Sequence, residues 1–381
     1  MTWRECSPVS ERQEFIAFAS SPGVNISELC RRFQVSRQTG YKWLKRAGLG
    51  DRDAEDRSRR PYSSPSRTPA PVEAKVLALR KRYPFYGGRK IRKRLPEEGE
   101  PNPPAASTIT AILKRNGMLP PERRLKRDWQ RFEASEPNAL WQMDFKGHVP
   151  LSKGRCHPLT VLDDHSRFNI RLEACGDEQA TTVRERLTKA FQLYGMPDCM
   201  LMDNGSPWGA PSGQLIHTHF TAWLMRLGVR VKHGRPHHPQ TQGKEERFHR
   251  TLKLEVLSQR PEWRSLDEIQ LAFDTWREEY NFRRPHEALG LEAPASRYVP
   301  SRRSMPATLP HVEYDLDFEV RHVQTNGRIK FRGLHVFIGK GFAGEAVGLR
   351  QVDENVWEVY YCHQRVMDRL DLSSPSPSEE V

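Results

Sequence analysis

The stretch from Asp198 to Gln259 limits what this chain can fold into more than any other. Cys199-Met200-Leu201-Met202 is a short apolar run stopped by Asp203-Asn204-Gly205, the pattern of a buried strand ending in a turn. Asp203 is then expected at the carboxyl end of that strand, where open α/β sheets place their sites. Further on, Gly243 opens a helical segment with Phe248, Leu252 and Val256 at i, i+4 and i+8, a stripe that needs a core to face. Glu246 lies off that stripe, and Arg250 and Lys253 follow it on one face. Upstream, Asp144 interrupts the run Asn138–Lys146. An Asp is disfavoured inside a strand and is tolerated there when it meets a cation or a dedicated partner. Three acids on separate elements, backed by cations, suit a pair of divalent metal ions working on a phosphate backbone. Mg²⁺ is the natural choice, with Mn²⁺ as substitute, because it takes few carboxylates and keeps water and phosphate oxygens.

Five blocks then occur in a fixed order: WQMDFKG, LTVLDDHSR, MDNGSPW, HHPQTQGKEERFHRTLK and YNFRRPHEALGLEAPASRY. Together, over roughly 137–300, they resemble the catalytic core of the retroviral-integrase-like DDE transposases of bacterial insertion sequences. The resemblance implies a ribonuclease-H-like fold with a mixed sheet and a catalytic, metal-holding Asp-Asp-Glu triad. Asp144 falls on the first Asp, Asp203 on the second and Glu246 on the Glu. Glu245 is the neighbour most easily confused with Glu246, but successive helical residues point about 100° apart. The segment between Asp203 and Glu246 is longer than the resemblance leads one to expect, and the extra residues are assigned to the Gly/Pro/Ser loop Gly209–Gln214. Asp163 and Asp164 are read as turn residues at a strand end, and His237 and His238 as residues of a loop beside the site, with contact to DNA or metal the equal alternative, and Gln240 and Gln242 as steadying a strand end.

The remainder of the chain supplies what such a core needs. There are 61 Lys and Arg against 48 Asp and Glu, and this excess points to a polyanionic partner, most simply nucleic acid. Residues 1–50 read as a first helix-turn-helix. Ser27 and Ser36 are its expected N-caps, and Arg37, Gln38, Thr39 and Lys42 face a major groove. Residues 51–71 lack apolar periodicity and read as a flexible linker. Residues 72–118 form a second helical module, whose Y-G-G-R-K-I and S-T-I-T-A-I-L-K-R-N-G blocks resemble the second helix-turn-helix of the same transposases. There Ser107 is the expected N-cap, and Arg89, Lys90, Arg92, Lys93, Lys114 and Arg115 are the expected DNA contacts. From Arg89 to Arg131 twelve Lys and Arg face five Asp and Glu, so this run, with the basic connector 119–137, suits a phosphate backbone. Arg250 and Lys253 are further phosphate contacts beside the core, which spans 138–300.

After a Ser/Arg/Pro linker at 300–310, short β-like runs punctuated by Gly333, Gly339, Gly341 and Gly344 predict a small β-barrel over 311–372, followed by an acidic, disordered tail at 373–381. The six cysteines form no C-x-x-C pair, and read as thiols of a reducing compartment. With neither a signal peptide nor a long apolar run, no membrane association is expected, and the protein is placed in the cytoplasm at the nucleoid. The expected function is a metal-dependent transposase that binds the terminal repeats of a mobile element, cleaves the ends and joins them to target duplex DNA as a homo-oligomer, with an accessory regulatory ATPase as a possible partner. Two other readings stay open: a catalytically silent DNA-binding regulator, and a ribonuclease-H-like nuclease without joining activity.

Overall fold

A computed structural model describes residues 7–50, 54–56, 67–119, 133–209, 217–234 and 243–372, in two compact units, Met1–Arg67 and Thr68–Val381. The acidic tail, most of the 51–71 linker and of the 119–137 connector, residues 210–214 of the expected extra loop, and His237, His238, Gln240 and Gln242 lie outside the described residues.

In the first unit, α1 (Pro8–Ala19), α2 (Ile26–Arg32) and α3 (Arg37–Gly48) enclose Phe15, Leu29, Cys30 and Trp43. Gly40 is needed where α3 crosses the others, because a Cβ there would stand 2.5 Å from Cys30 Sγ. Ser36 caps α3 as expected, accepting from Thr39 N at 3.1 Å. The cap of α2 is Asn25, not Ser27: its side chain accepts from Ser27 N at 3.0 Å and Glu28 N at 3.4 Å, so Ser27 already lies inside the first turn.

The second unit begins with α4 (Ala70–Arg82), α5 (Gly88–Arg94) and α6 (Ala106–Arg115) around a core of Val76, Ile91, Leu95, Ile109, Ile112 and Leu113. Ser107 is not the cap of α6, which starts one residue earlier and has no side-chain cap. This module sits on the domain that follows. Arg94, almost fully buried, donates to Arg283 O at 3.1 Å and Tyr83 Oη at 2.9 Å, and pairs with Glu279 at 3.4 Å. A buried guanidinium with carbonyl, hydroxyl and carboxylate partners pins α5 in place.

The central sheet contains β1 (Trp141–Phe145), β2 (Val149–Pro150), β3 (Arg155–Asp163), β4 (Asn169–Cys175), β5 (Cys199–Met202) and β6 (Arg230–His233). β4, β3 and β1 are antiparallel, whereas β1, β5 and β6 run parallel, which makes the mixed sheet the motifs imply. α7 (Ala180–Tyr194) and α8 (His219–Arg226) cover one face. Their side chains pack with Trp141, Met143, Leu159, Val161, Met200 and Met202. α9 (Gly243–Glu255) and α10 (Leu266–Phe282) cover the other, burying Phe248, Leu252, Ile269 and Phe273 against Cys156, Leu162 and Leu172. Because side chains alternate along a strand, Trp141 and Met143 enter the first cluster, and Gln142 and Asp144 face α9.

The segment 300–310 is not a loose linker. Met196 N donates to Arg303 O at 2.7 Å, Ser301 N to Tyr194 O at 2.8 Å, and the Arg303 guanidinium binds Pro197 O, Asp198 Oδ1 and Gly228 O. Its polar composition satisfies carbonyls of the core instead of water. Beyond it, β7 (Glu319–His322), β8 (Arg328–Phe331), β9 (Leu334–Phe337), β10 (Ala346–Asp353), β11 (Val356–Tyr361) and β12 (Gln364–Asp371) form a four-stranded antiparallel sheet in the order β12-β11-β10-β7 and a separate β8-β9 hairpin. The expected strands are present, and their pairing is that of two sheets without a closing pair among the described residues. Gln364 covers the edge of the central sheet, pairing with Val231 N at 2.8 Å and Val231 O at 2.9 Å. Among the described residues no helix is long and apolar enough to cross a membrane.

Candidate active site

β1 and β5 pair in parallel with Trp141 opposite Met200 and Gln142 opposite Leu201. Two residues further on, Asp144 and Asp203 therefore stand level at the carboxyl ends of neighbouring strands, on the edge of the sheet where parallel strands leave room for a ligand. Asp203 is held from three sides. Its Oδ1 accepts from Gly205 N at 2.9 Å and from the indole Nε1 of Trp208, and its carbonyl faces His233 Nδ1 at 2.9 Å. Gly205 makes room for this, since a Cβ there would meet Asp203 Oδ2 at 3.1 Å. Trp208 is buried and stacks on Phe145, the neighbour of Asp144, with ring centroids 5.4 Å apart. One aromatic pair thus links the two aspartates.

The carboxyl of Asp144 is pushed up to about 7, first by burial and then by the charge of Asp203, with smaller contributions from Glu178 and Glu246, against a hydrogen bond from Phe145 N that lowers it. This crowding of negative charge is what a cation would relieve, and the two aspartates fit one. Glu246 is exposed on α9, within electrostatic reach of Asp144. Among the described residues no three His, Cys, Asp or Glu side chains are gathered closely enough to hold an ion. Lys146 is half-buried nearby, its ammonium lowered by burial first and then by Lys253.

Behind this edge lies a layer of buried polar groups. Asp163 accepts from Asn138 N and Ser166 N, each at 2.7 Å, and Asp164 from Ala134 N at 2.7 Å and Gln142 Nε2 at 2.6 Å, with Lys244 Nζ paired to it as well. The Ser166 bond closes the turn as expected, while the others tie the L-D-D-H-S-R block to the segment before β1, to β1 itself and, through Lys244, to α9. Glu245 is buried, and desolvation followed by Asp144 raises its carboxyl well above the usual range. Burial holds the His249 imidazole down to about 3.

The expected DNA-contact residues meet different environments. Arg37, Gln38 and Lys42 are exposed on α3 and Thr39 is half-buried against Ser36. On α5, Arg89 and Arg92 are exposed, Lys93 pairs with Glu292 at 2.6 Å, and burial, followed by Arg284, holds Lys90 down to about 8. On α6, Lys114 is exposed and Arg115 pairs with Glu73. Arg250 and Lys253 are exposed on α9, one and two turns beyond Glu246.

Sequence reasoning missed Trp208, Glu178, Lys146 and the Glu245–Thr160–His249 group. Trp208 and Lys146 stood in quoted blocks, but nothing in their spacing says that they reach the acids. Glu178 precedes α7, and only the fold carries it toward Asp144.

Two Integrase core domain models match residues 134–239 and 227–294, and an IS481 family transposase C-terminal domain model matches 318–377. Homeodomain-like domain models match 7–52 and 39–113. These matches and the relatives below support an insertion-sequence transposase of the integrase-like family. Among its relatives, an uncharacterized 39.2 kDa protein of insertion element IS476 from Xanthomonas euvesicatoria is 27% identical over 57% of this chain and 57% of that protein. An uncharacterized 31.7 kDa protein of insertion element IS407 from Burkholderia multivorans is 24% identical over 59% of this chain and 79% of that one. Against the HTLV-2 integrase catalytic core in complex with magnesium, the identity is 15% over 43% of this chain and 99% of that chain, with a TM-score of 0.33.

Proposed function

We propose that this protein is a DNA transposase that binds the ends of its mobile element, cleaves them and joins them to target DNA. The observation that carries the reading is the level placement of Asp144 and Asp203 on parallel neighbours β1 and β5, with Glu246 on the helix that packs over them. Asp144, Asp203 and Glu246 would hold two Mg²⁺, with Mn²⁺ as substitute. Such ions supply activation of the attacking oxygen and neutralisation of charge in an in-line phosphoryl displacement. Trp208 and Gly205 keep the Asp203 carboxylate oriented. Lys146, Arg250 and Lys253 offset the charge of the scissile phosphate and its neighbours. Water first cleaves the element end and leaves a 3′-hydroxyl. That hydroxyl then displaces a target 3′-oxygen, so one phosphodiester is exchanged for another.

The two helix-turn-helix modules read the terminal repeats, α3 through Arg37, Gln38, Thr39 and Lys42, and the second module through Arg89, Arg92 and Lys114, with Lys90, Lys93 and Arg115 at its edges. Joining two ends at one target calls for at least two copies of the chain on DNA. The test uses labelled duplexes of the DNA flanking this gene, incubated with Mg²⁺ or Mn²⁺ and either wild type or Glu246→Gln. Metal-dependent nicks at 3′ ends and joined products that vanish in the variant are expected. Binding without cutting in the wild type favours a DNA-binding regulator, and cutting that survives the substitution removes Glu246 from the site.

A further inference from the structure

α9 carries two consecutive glutamates in opposite environments. Glu246 is exposed, and Glu245 is 1% exposed. A carboxyl buried that deeply needs partners. Glu245 Oε2 lies 3.1 Å from Thr160 Oγ1, and Oε1 meets no hydrogen-bond partner among the described residues. Thr160 is the residue directly opposite Asp144 in the pairing of β1 with β3. Its hydroxyl is also 3.0 Å from the backbone carbonyl oxygen of Asp144 and 2.8 Å from His249 Nε2. A hydroxyl has one proton and two lone pairs. The Asp144 carbonyl oxygen and Glu245 Oε2 both lie within reach of that proton. His249 Nε2 completes the group around the Thr160 oxygen. One turn on, the other ring nitrogen of His249 stands 3.9 Å from Asp144 Oδ2. Just before Glu245, Lys244 Nζ is paired with Asp164, the residue after the last of β3. The two residues that precede Glu246 therefore grip β3 and its end from within the first turn of α9.

We propose that Glu245 is a positioning residue: through Thr160 it locks α9 to the backbone of Asp144 and so sets the separation of the Asp144 and Glu246 carboxylates. This rests on the reading that Asp144, Asp203 and Glu246 hold the metal ions. An amide in place of the carboxylate keeps an oxygen that can accept from Thr160, so Glu245→Gln preserves the contact.

The test compares full-length wild type with Glu245→Gln, Glu245→Ala, Thr160→Val, Thr160→Ser and Glu246→Gln. Mn²⁺ binding is measured by titration calorimetry, and end cleavage is measured as kcat and KM for DNA. Glu245→Gln and Thr160→Ser are expected to stay within about threefold of wild type. Glu245→Ala and Thr160→Val are expected to lose about 10- to 100-fold in Mn²⁺ affinity and kcat, the usual loss for a group that orients a metal ligand, with KM for DNA unchanged. Should Glu245→Ala fail to fold, the contrast between Thr160→Val and Thr160→Ser carries the decision. Wild-type Mn²⁺ affinity in Thr160→Val would overturn the proposal. So would a Glu245→Gln protein as inactive as Glu246→Gln, which would make position 245 a charged ligand. Unchanged cleavage and Mn²⁺ binding in Glu246→Gln would instead sink the reading on which the proposal stands.

Discussion

Asp144→Asn is expected to make the metal-free protein more stable, and the size and pH dependence of the gain follow from the site. Burial and the nearby Asp203 raise the Asp144 carboxyl from 3.8 to about 7. At about 1.4 kcal/mol per pH unit, that shift is worth roughly 4 kcal/mol. Between those two values the folded protein keeps a proton that the unfolded chain has released, so the wild type loses stability as pH rises across this window. Near pH 8 the full cost is present. An asparagine carries no charge to repel, though its own burial takes back part of the gain, which leaves about 2–4 kcal/mol. For a unit of this size that is a rise in melting temperature of roughly 5–10 °C. Melting is followed in EDTA from about pH 4 to pH 8. The gain should be absent at the acid end and grow toward neutrality. Added Mg²⁺ should raise the wild type near pH 8 more than the variant, because the variant lacks one of the three carboxylates that would hold the ions. A variant no more stable than wild type near pH 8, or a gain that does not change with pH, would refute the reasoning.

Trp208→Phe keeps the stack on Phe145 but removes the bond to Asp203, so end cleavage should fall about tenfold or more, the loss of one charge-assisted hydrogen bond. Arg284 and Glu255 form a nearly buried pair, 2.7 Å apart, that joins the end of α9 to the segment after α10. Arg284→Met alone strands the carboxylate and should cost about 3–5 kcal/mol in denaturant unfolding, while Arg284→Met with Glu255→Leu should recover most of it. Arg250→Ala and Lys253→Ala should each lower the slope of log affinity against log salt by about one in filter binding on any duplex, the signature of a lost phosphate contact. Gln38→Ala should instead weaken binding to the element end by about 1–3 kcal/mol relative to random duplex, as a lost base contact does.

The chain's own order of residues determined the elements of the core. A run of four apolar residues before Asp203, and the i, i+4, i+8 stripe of Phe248, Leu252 and Val256, leave few alternatives to a buried strand and an amphipathic helix, because both patterns are set by local backbone periodicity. Ser36 announces its helix in the same way. Local signals fail where two starts compete, so Asn25 displaced Ser27 and Ala106 preceded Ser107. They also fail where polar residues serve a distant partner: Arg303 belongs to a Ser/Arg/Pro stretch that reads as a linker, and its guanidinium closes on carbonyls of the core. Only the tertiary structure decided that Asp144 and Asp203 stand level on neighbouring strands, which cations of the second helical module turn toward Glu292 and Glu73, and why Glu245 differs from the glutamate beside it. Those outcomes depend on register and burial, which bring Asp144 level with Asp203 and Thr160 under Glu245 across long separations in the chain. A side chain's charge and hydrogen-bond role are set by what the fold places against it, and the sequence around each residue carries no record of that.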